Sequence, residues 1–198
     1  MTNTGFGLRL VGTLSGRQPL IREYYVPATY GTALYQGDAV MLLAGSNTLD
    51  PNNEVPVIAQ AVSGDVILGV IVGFRPSAAL PYTGQYNPAS TARYVEVCDD
   101  PEAIYEIQED GASGVVTAAQ VGAMNNFNLN VQAGSTVTGL SGTMLQSSSH
   151  TTSAADLKVV GVRRDGLNAV GSNYYNNTGA VLQVKILSSA VNATASHS

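Results

Sequence analysis

The sequence predicts a mainly β protein, a sandwich or barrel with a jelly-roll topology among the candidates, carrying long loops and one short helix near 117–122. Three observations carry that expectation. Short runs rich in Val, Ile, Leu and Tyr recur along the 198 residues between clusters of Gly, Pro, Asn and Asp, the pattern of strands joined by turns. The runs at 157–163 and 180–187 alternate apolar with polar and put the chain's two lysines, Lys158 and Lys185, on the outward face, as half-buried antiparallel strands do. Helical signals are confined to one place, where Thr117 and Gln120 have the spacing of a capping box ahead of Gly122.

In chain order, strands are expected at 7–14, 20–26, 39–44, 55–61, 67–74, 92–97, 103–108, 157–163 and 180–187. The run from Val66 to Phe74 is apolar on both faces, which places it centrally in a sheet covered twice. Its glycines, Gly69 and Gly73, belong at bends or close backbone approaches. The stretch 76–91, with Pro76, Pro81, Pro88, Tyr82 and Tyr86, reads as a long loop. Between Asn125 and Thr152 small polar residues dominate, but Phe127, Leu129, Leu140 and Leu145 still need a surface to cover, so irregular strands or a long connection are expected. Residues 1–187 form one domain, with 1–6 as an extended arm and 188–198 as a loose polar tail.

Composition narrows the function. Charged residues are 12% of the chain, against roughly 25% in an average soluble domain; 17 Ser, 16 Thr and 14 Asn supply the polar surface instead. A net charge of -5 with scattered arginines argues against nucleic acid, whose affinity comes from clustered Lys and Arg. One cysteine, Cys98, excludes an intrachain disulfide, and two histidines, His150 and His197, are too few for a histidine-ligated metal. The start has no basic and apolar leader pattern, and no apolar run approaches membrane-spanning length, so neither secretion nor a membrane is expected. No nucleophile elbow, phosphate-binding loop or dinucleotide fingerprint occurs. His150 reads as a loop tip, and Cys98, beside two acids, reads as a core or edge residue with a raised pKa.

Half of all the acids, Glu96, Asp99, Asp100, Glu102, Glu106, Glu109 and Asp110, fall within fifteen residues that hold no Lys, Arg or His. As a hairpin turning at Asp100-Pro101-Glu102, this stretch would pair Val97 with Tyr105 and Val95 with Ile107 inside, and set Glu96 opposite Glu106 outside. Like charges directly opposite destabilise a sheet, so that register calls for a cation, an arginine from elsewhere or a partner protein. An acidic edge or contact patch is the expectation. Weaker alternatives are calcium at Asp99, Asp100 and Glu102, whose spacing matches no calcium loop, and a glycosidase pair, which needs one acid raised by burial. Ten tyrosines against three phenylalanines are the other bias. Tyr24-Tyr25 and Tyr174-Tyr175 each set one ring to either side of an extended backbone, one toward the core and one toward a partner.

Gly37-Asp38-Ala39-Val40, Gly69 to Phe74, Val95 to Pro101, Tyr105 to Gly111, Val121-Gly122, Thr138 to Ser141, Leu157 to Gly161 and Val181 to Ile186 together resemble the small virion structural proteins of tailed bacteriophages, nearest in role to the capsid decoration, or cement, proteins. The resemblance covers roughly residues 37–187, and its most specific piece is the acidic stretch from Val95 to Gly111. It implies a non-enzymatic protein without cofactor that binds the outside of an icosahedral phage capsid, is made in the host cytoplasm, contacts the major capsid protein and other copies of itself, and forms a homotrimer. It carries over no binding residue. The contact residues expected from the sequence are Tyr24, Tyr25, Glu96, Asp99, Asp100, Glu102, Glu106, Tyr174 and Tyr175. A tail or head-fibre component, or a carbohydrate-binding β-sandwich or glycosidase using the acidic cluster, is the alternative.

Overall fold

The computed structural model describes residues 5–43, 49–77, 80, 85–111, 116–163 and 180–187. Tyr82, Tyr174, Tyr175 and the tail 188–198 lie outside the described residues. The strands are β1 (Arg9–Thr13), β2 (Ile21–Val26), β3 (Leu34–Tyr35), β4 (Ala39–Leu42), β5 (Ile58–Gln60), β6 (Gly69–Phe74), β7 (Tyr86–Asn87), β8 (Arg93–Cys98), β9 (Ala103–Gln108), β10 (Asn126–Phe127), β11 (Leu129–Asn130), β12 (Met144–Leu145), β13 (Leu157–Val162) and β14 (Val181–Ile186). The helix α1 spans Ala118–Gly122, with Thr117 and Gln120 forming the capping box in both directions. All nine expected strands are present. The five additional ones are two-residue pieces, too short for periodicity to reveal, and three of them organise the polar stretch 125–152.

Two five-stranded antiparallel sheets form a sandwich, one ordered β1-β9-β14-β13-β10 and the other β2-β8-β6-β4-β5. Tyr105, Ile107, Leu157, Val159, Leu182 and Val184 of the first sheet pack on Ala39, Val70 and Cys98 of the second. The far face of the second sheet buries another cluster, Tyr24, Val26, Val40, Ile58, Ile71, Val95 and Val97, beneath Leu34 and Tyr30. β6 is the middle strand of that sheet and feeds both clusters, Val70 into one and Ile71 into the other, which is why its sequence is apolar on both faces. The second sheet curls until Tyr25 meets Val57 in one isolated bridge, with the Tyr25 N–H donating to the Pro56 carbonyl at 3.0 Å. One bridge is not a ladder, so the sheet does not close into a barrel.

The acidic hairpin is not formed. β8 pairs with β2 and β6, β9 pairs with β1 and β14, and residues 99–102 turn the corner from one sheet to the other. Alternation alone cannot separate a hairpin from a corner, because both place Val95, Val97, Tyr105 and Ile107 on apolar faces. In the corner arrangement Glu96 and Glu106 no longer oppose each other: Glu96 stands opposite Glu23, and Glu106 stands between Arg9 and Gln183.

Candidate functional site

The corner is where the acidic run meets its cations. Arg17 and Arg22 follow and begin the two edge strands β1 and β2, which flank β9 and β8, so the loop joining them passes over residues 99–102. Asp100 accepts from Arg17 Nη2 at 2.8 Å and from the backbone N–H groups of Leu20 and Glu102 at 3.1 and 2.9 Å. Glu102 accepts from Ser15 Oγ at 2.7 Å and from Arg17 Nε at 3.4 Å, and these two donors hold its carboxyl below the usual range. Asp99 accepts from Arg22 Nε at 2.6 Å and from the Tyr24 hydroxyl at 2.5 Å, while its other oxygen, Oδ1, is buried with no hydrogen-bond partner. Burial, with that bond to Asp99, pushes the Tyr24 hydroxyl far above its ordinary pKa. Glu106 is held by Arg9 across the β1–β9 ladder, and Arg75 sits between the opposed Glu23 and Glu96, 2.5 Å from the first and 3.8 Å from the second.

These partners change what the acidic residues can do. The side chains of Asp99 and Asp100 have no exposed surface, so they offer nothing to a partner, and Glu106 is nearly as buried. Glu96 and Glu102, both about half exposed, are the members of the run that reach solvent through their carboxylates while paired with arginine. Among the described residues no group of three His, Cys, Asp or Glu side chains converges as a metal ion requires. At Asp99, Asp100 and Glu102 the cations are Arg17 and Arg22. Glu96 and Glu106, expected opposite each other in the hairpin, stand on different sheets. Glu109 and Asp110 are structural acceptors, the first for the Val116 N–H at 2.7 Å, the second for Ser147 Oγ at 2.7 Å and Asn130 Nδ2 at 2.8 Å.

An arginine from elsewhere was one of the compensations the sequence called for, but the sequence reading did not identify which arginines supply it. Three of the seven arginines, Arg9, Arg17 and Arg22, lie within fourteen residues of each other, and that density was the available signal. Tyr24 and Tyr25 divide as expected, Tyr24 into the core and Tyr25 half-exposed on the opposite face against Tyr94, ring centroids 5.1 Å apart. The Tyr94 hydroxyl donates to Asp50 at 2.6 Å, and that bond pushes its pKa up to about 12. Tyr86, expected in a loop, is in β7 and stacks on Tyr35 at 5.5 Å. Cys98 is fully buried, and burial first, then the two neighbouring aspartates, raises its thiol. His150 is exposed at the end of the short 3-10 turn Ser147–Ser149. Among the described residues no helix is long and apolar enough to cross a membrane.

Exposed apolar side chains gather around the corner. Val11 and Leu14 on and after β1, and Leu20 and Ile21 leading into β2, are each 44–53% exposed. Leu14 donates its N–H to Glu102, Leu20 to Asp100, and Ile21 stands opposite Cys98, so all three border residues 98–102. No family model, curated protein or solved structure matches this chain.

Proposed function

We propose that the protein is a non-enzymatic virion structural protein that binds the outer surface of an icosahedral phage capsid, cements neighbouring capsomers and acts as a homotrimer. The observation that carries this reading is the apolar rim of the corner, Leu14, Leu20 and Ile21. Acid–arginine pairs fix the two edge strands there, so the rim is presented on a rigid base, and the low charge of the surface keeps the desolvation cost of a contact small. The corner residues belong to the stretch in which the sequence most resembles decoration proteins. In this reading the ion pairs hold the contact surface and the apolar side chains make the contact.

Purified protein is tested against expanded empty phage capsids and, in parallel, against a glycan array. Saturable capsid binding that falls in Leu14→Ser/Ile21→Ser is the expected result. Glycan binding without capsid binding contradicts the proposal and favours the carbohydrate-binding alternative.

A further inference from the structure

Among the described residues almost every charged side chain is satisfied within the molecule. Arg9, Arg17, Arg22 and Arg75 each hold a carboxylate, and the buried Arg93 donates to the carbonyls of Arg75 and Tyr86. Glu54 and the two lysines remain, with no hydrogen bond or ion pair from their side chains. The lysines are not scattered. Lys158 of β13 and Lys185 of β14 are directly opposed partners in the antiparallel ladder. They point away from the core, because their neighbours Leu157, Val159, Val184 and Ile186 fill it. Two ammonium groups so placed repel each other and weaken the strand pair. The adjoining row across the sheet runs Arg9, Glu106, Gln183, Gly161, and its one carboxylate is already held by Arg9. A polar hollow of about 470 Å³ opens on that row between Glu106, Val160, Gly161, Arg163 and Gln183.

We propose that the outer face of the first sheet, centred on Lys158 and Lys185, docks an acidic segment of a protein partner. Two of its carboxylates neutralise the lysine pair, and a neighbouring polar side chain enters the hollow. A second copy of this chain is the poorer occupant: each copy carries a net charge of -5, and its described surface offers Glu54 as the one uncommitted carboxylate against two lysines. Two copies meeting through this same face would bring four ammonium groups together. A phosphate polymer is also disfavoured, since its affinity grows with the number of cations engaged and two are few. The assignment rests on the charge pairing alone and stands whether or not the protein decorates a capsid.

The test is a titration of the full chain with a hexaglutamate peptide, followed through the side-chain NMR signals of its two lysines at low and high salt. Both signals should shift, with affinity falling at high salt and dropping roughly tenfold or more in Lys158→Gln/Lys185→Gln, as expected when contacts to a close charge pair are removed. Lys158→Arg/Lys185→Arg should retain binding, which separates loss of charge from loss of fold. No lysine shift at millimolar peptide, or unchanged affinity in the glutamine variant, overturns the proposal. So does tighter binding of polyphosphate, or lysine-dependent self-association in sedimentation without peptide.

Discussion

Asp38 is a carboxylate with no exposed surface, accepting from the Tyr35 N–H at 2.8 Å, from Ser141 Oγ at 2.5 Å and from the Gln60 side chain. It ties the turn before β4 to the loop that carries Ser141. Burial outweighs those three donors and pushes its carboxyl up to about 6, from an ordinary value of 3.8. The folded protein therefore keeps a proton that the unfolded chain has released, and this group's contribution to stability is lost as the pH rises from about 4 to about 6. Asp38→Asn removes that dependence. Between pH 4 and pH 7 the difference in unfolding free energy between the two proteins should move in the variant's favour by on the order of 2 kcal/mol, measured from urea midpoints. A difference that stays constant with pH contradicts the assignment. At Asp99, Tyr24 and Arg22 share one oxygen and leave the other without a hydrogen-bond partner. Tyr24→Phe should destabilise the protein by about 1–2 kcal/mol, the cost of depriving a buried charged acceptor of a donor, with the thermal midpoint as the readout.

β6 was legible in the sequence because being apolar on both faces has one common cause, burial on both. Its glycines are informative too. A Cβ on Gly69 would lie 2.3 Å from the Cys98 carbonyl oxygen, a backbone atom of the neighbouring strand, whereas one on Gly73 would meet the movable carboxylate end of Glu96. Gly69→Ala should cost about 1–3 kcal/mol by overpacking, and Gly73→Ala distinctly less, in paired denaturation curves. The strand pair β13–β14 was read correctly as half-buried, with each lysine outward, but their direct opposition depends on register, and register depends on the bulge at Val160 between Val159 and Gly161. Gly161 is the residue that marks the bulge, as Gly12 and Gly73 mark the other two register shifts, but a strand glycine alone does not give the resulting register. With the ammonium groups bare, Lys185→Gln should raise stability by about 0.2–1 kcal/mol at low salt, and an unchanged or lowered midpoint would contradict the repulsion.

At the scale of the molecule, strand existence was readable because period-two burial is local, and strand partners were not, because each strand pairs with residues well outside its own neighbourhood, from Val40 with Gln60 to Arg9 with Glu106. The acidic stretch shows the difference. Its alternation was read correctly as two strands, yet its charges are matched by Arg9, Arg17 and Arg22, from 77 to 97 residues distant. These acids hold the sandwich's corner together and are not a loose patch awaiting a partner. Buried carboxylates that lose their charge leave arginines unpaired and backbone donors less well satisfied, and breaking such pairs destabilises strongly. The most direct measurement is the urea unfolding of a variant in which Asp99 and Asp100 become Asn and Glu102 and Glu106 become Gln, compared with the unaltered chain. A loss of at least about 3 kcal/mol, or failure to fold, is the expected result; a folded variant with an unchanged or higher midpoint would show that the acids are a solvated patch and contradict the account.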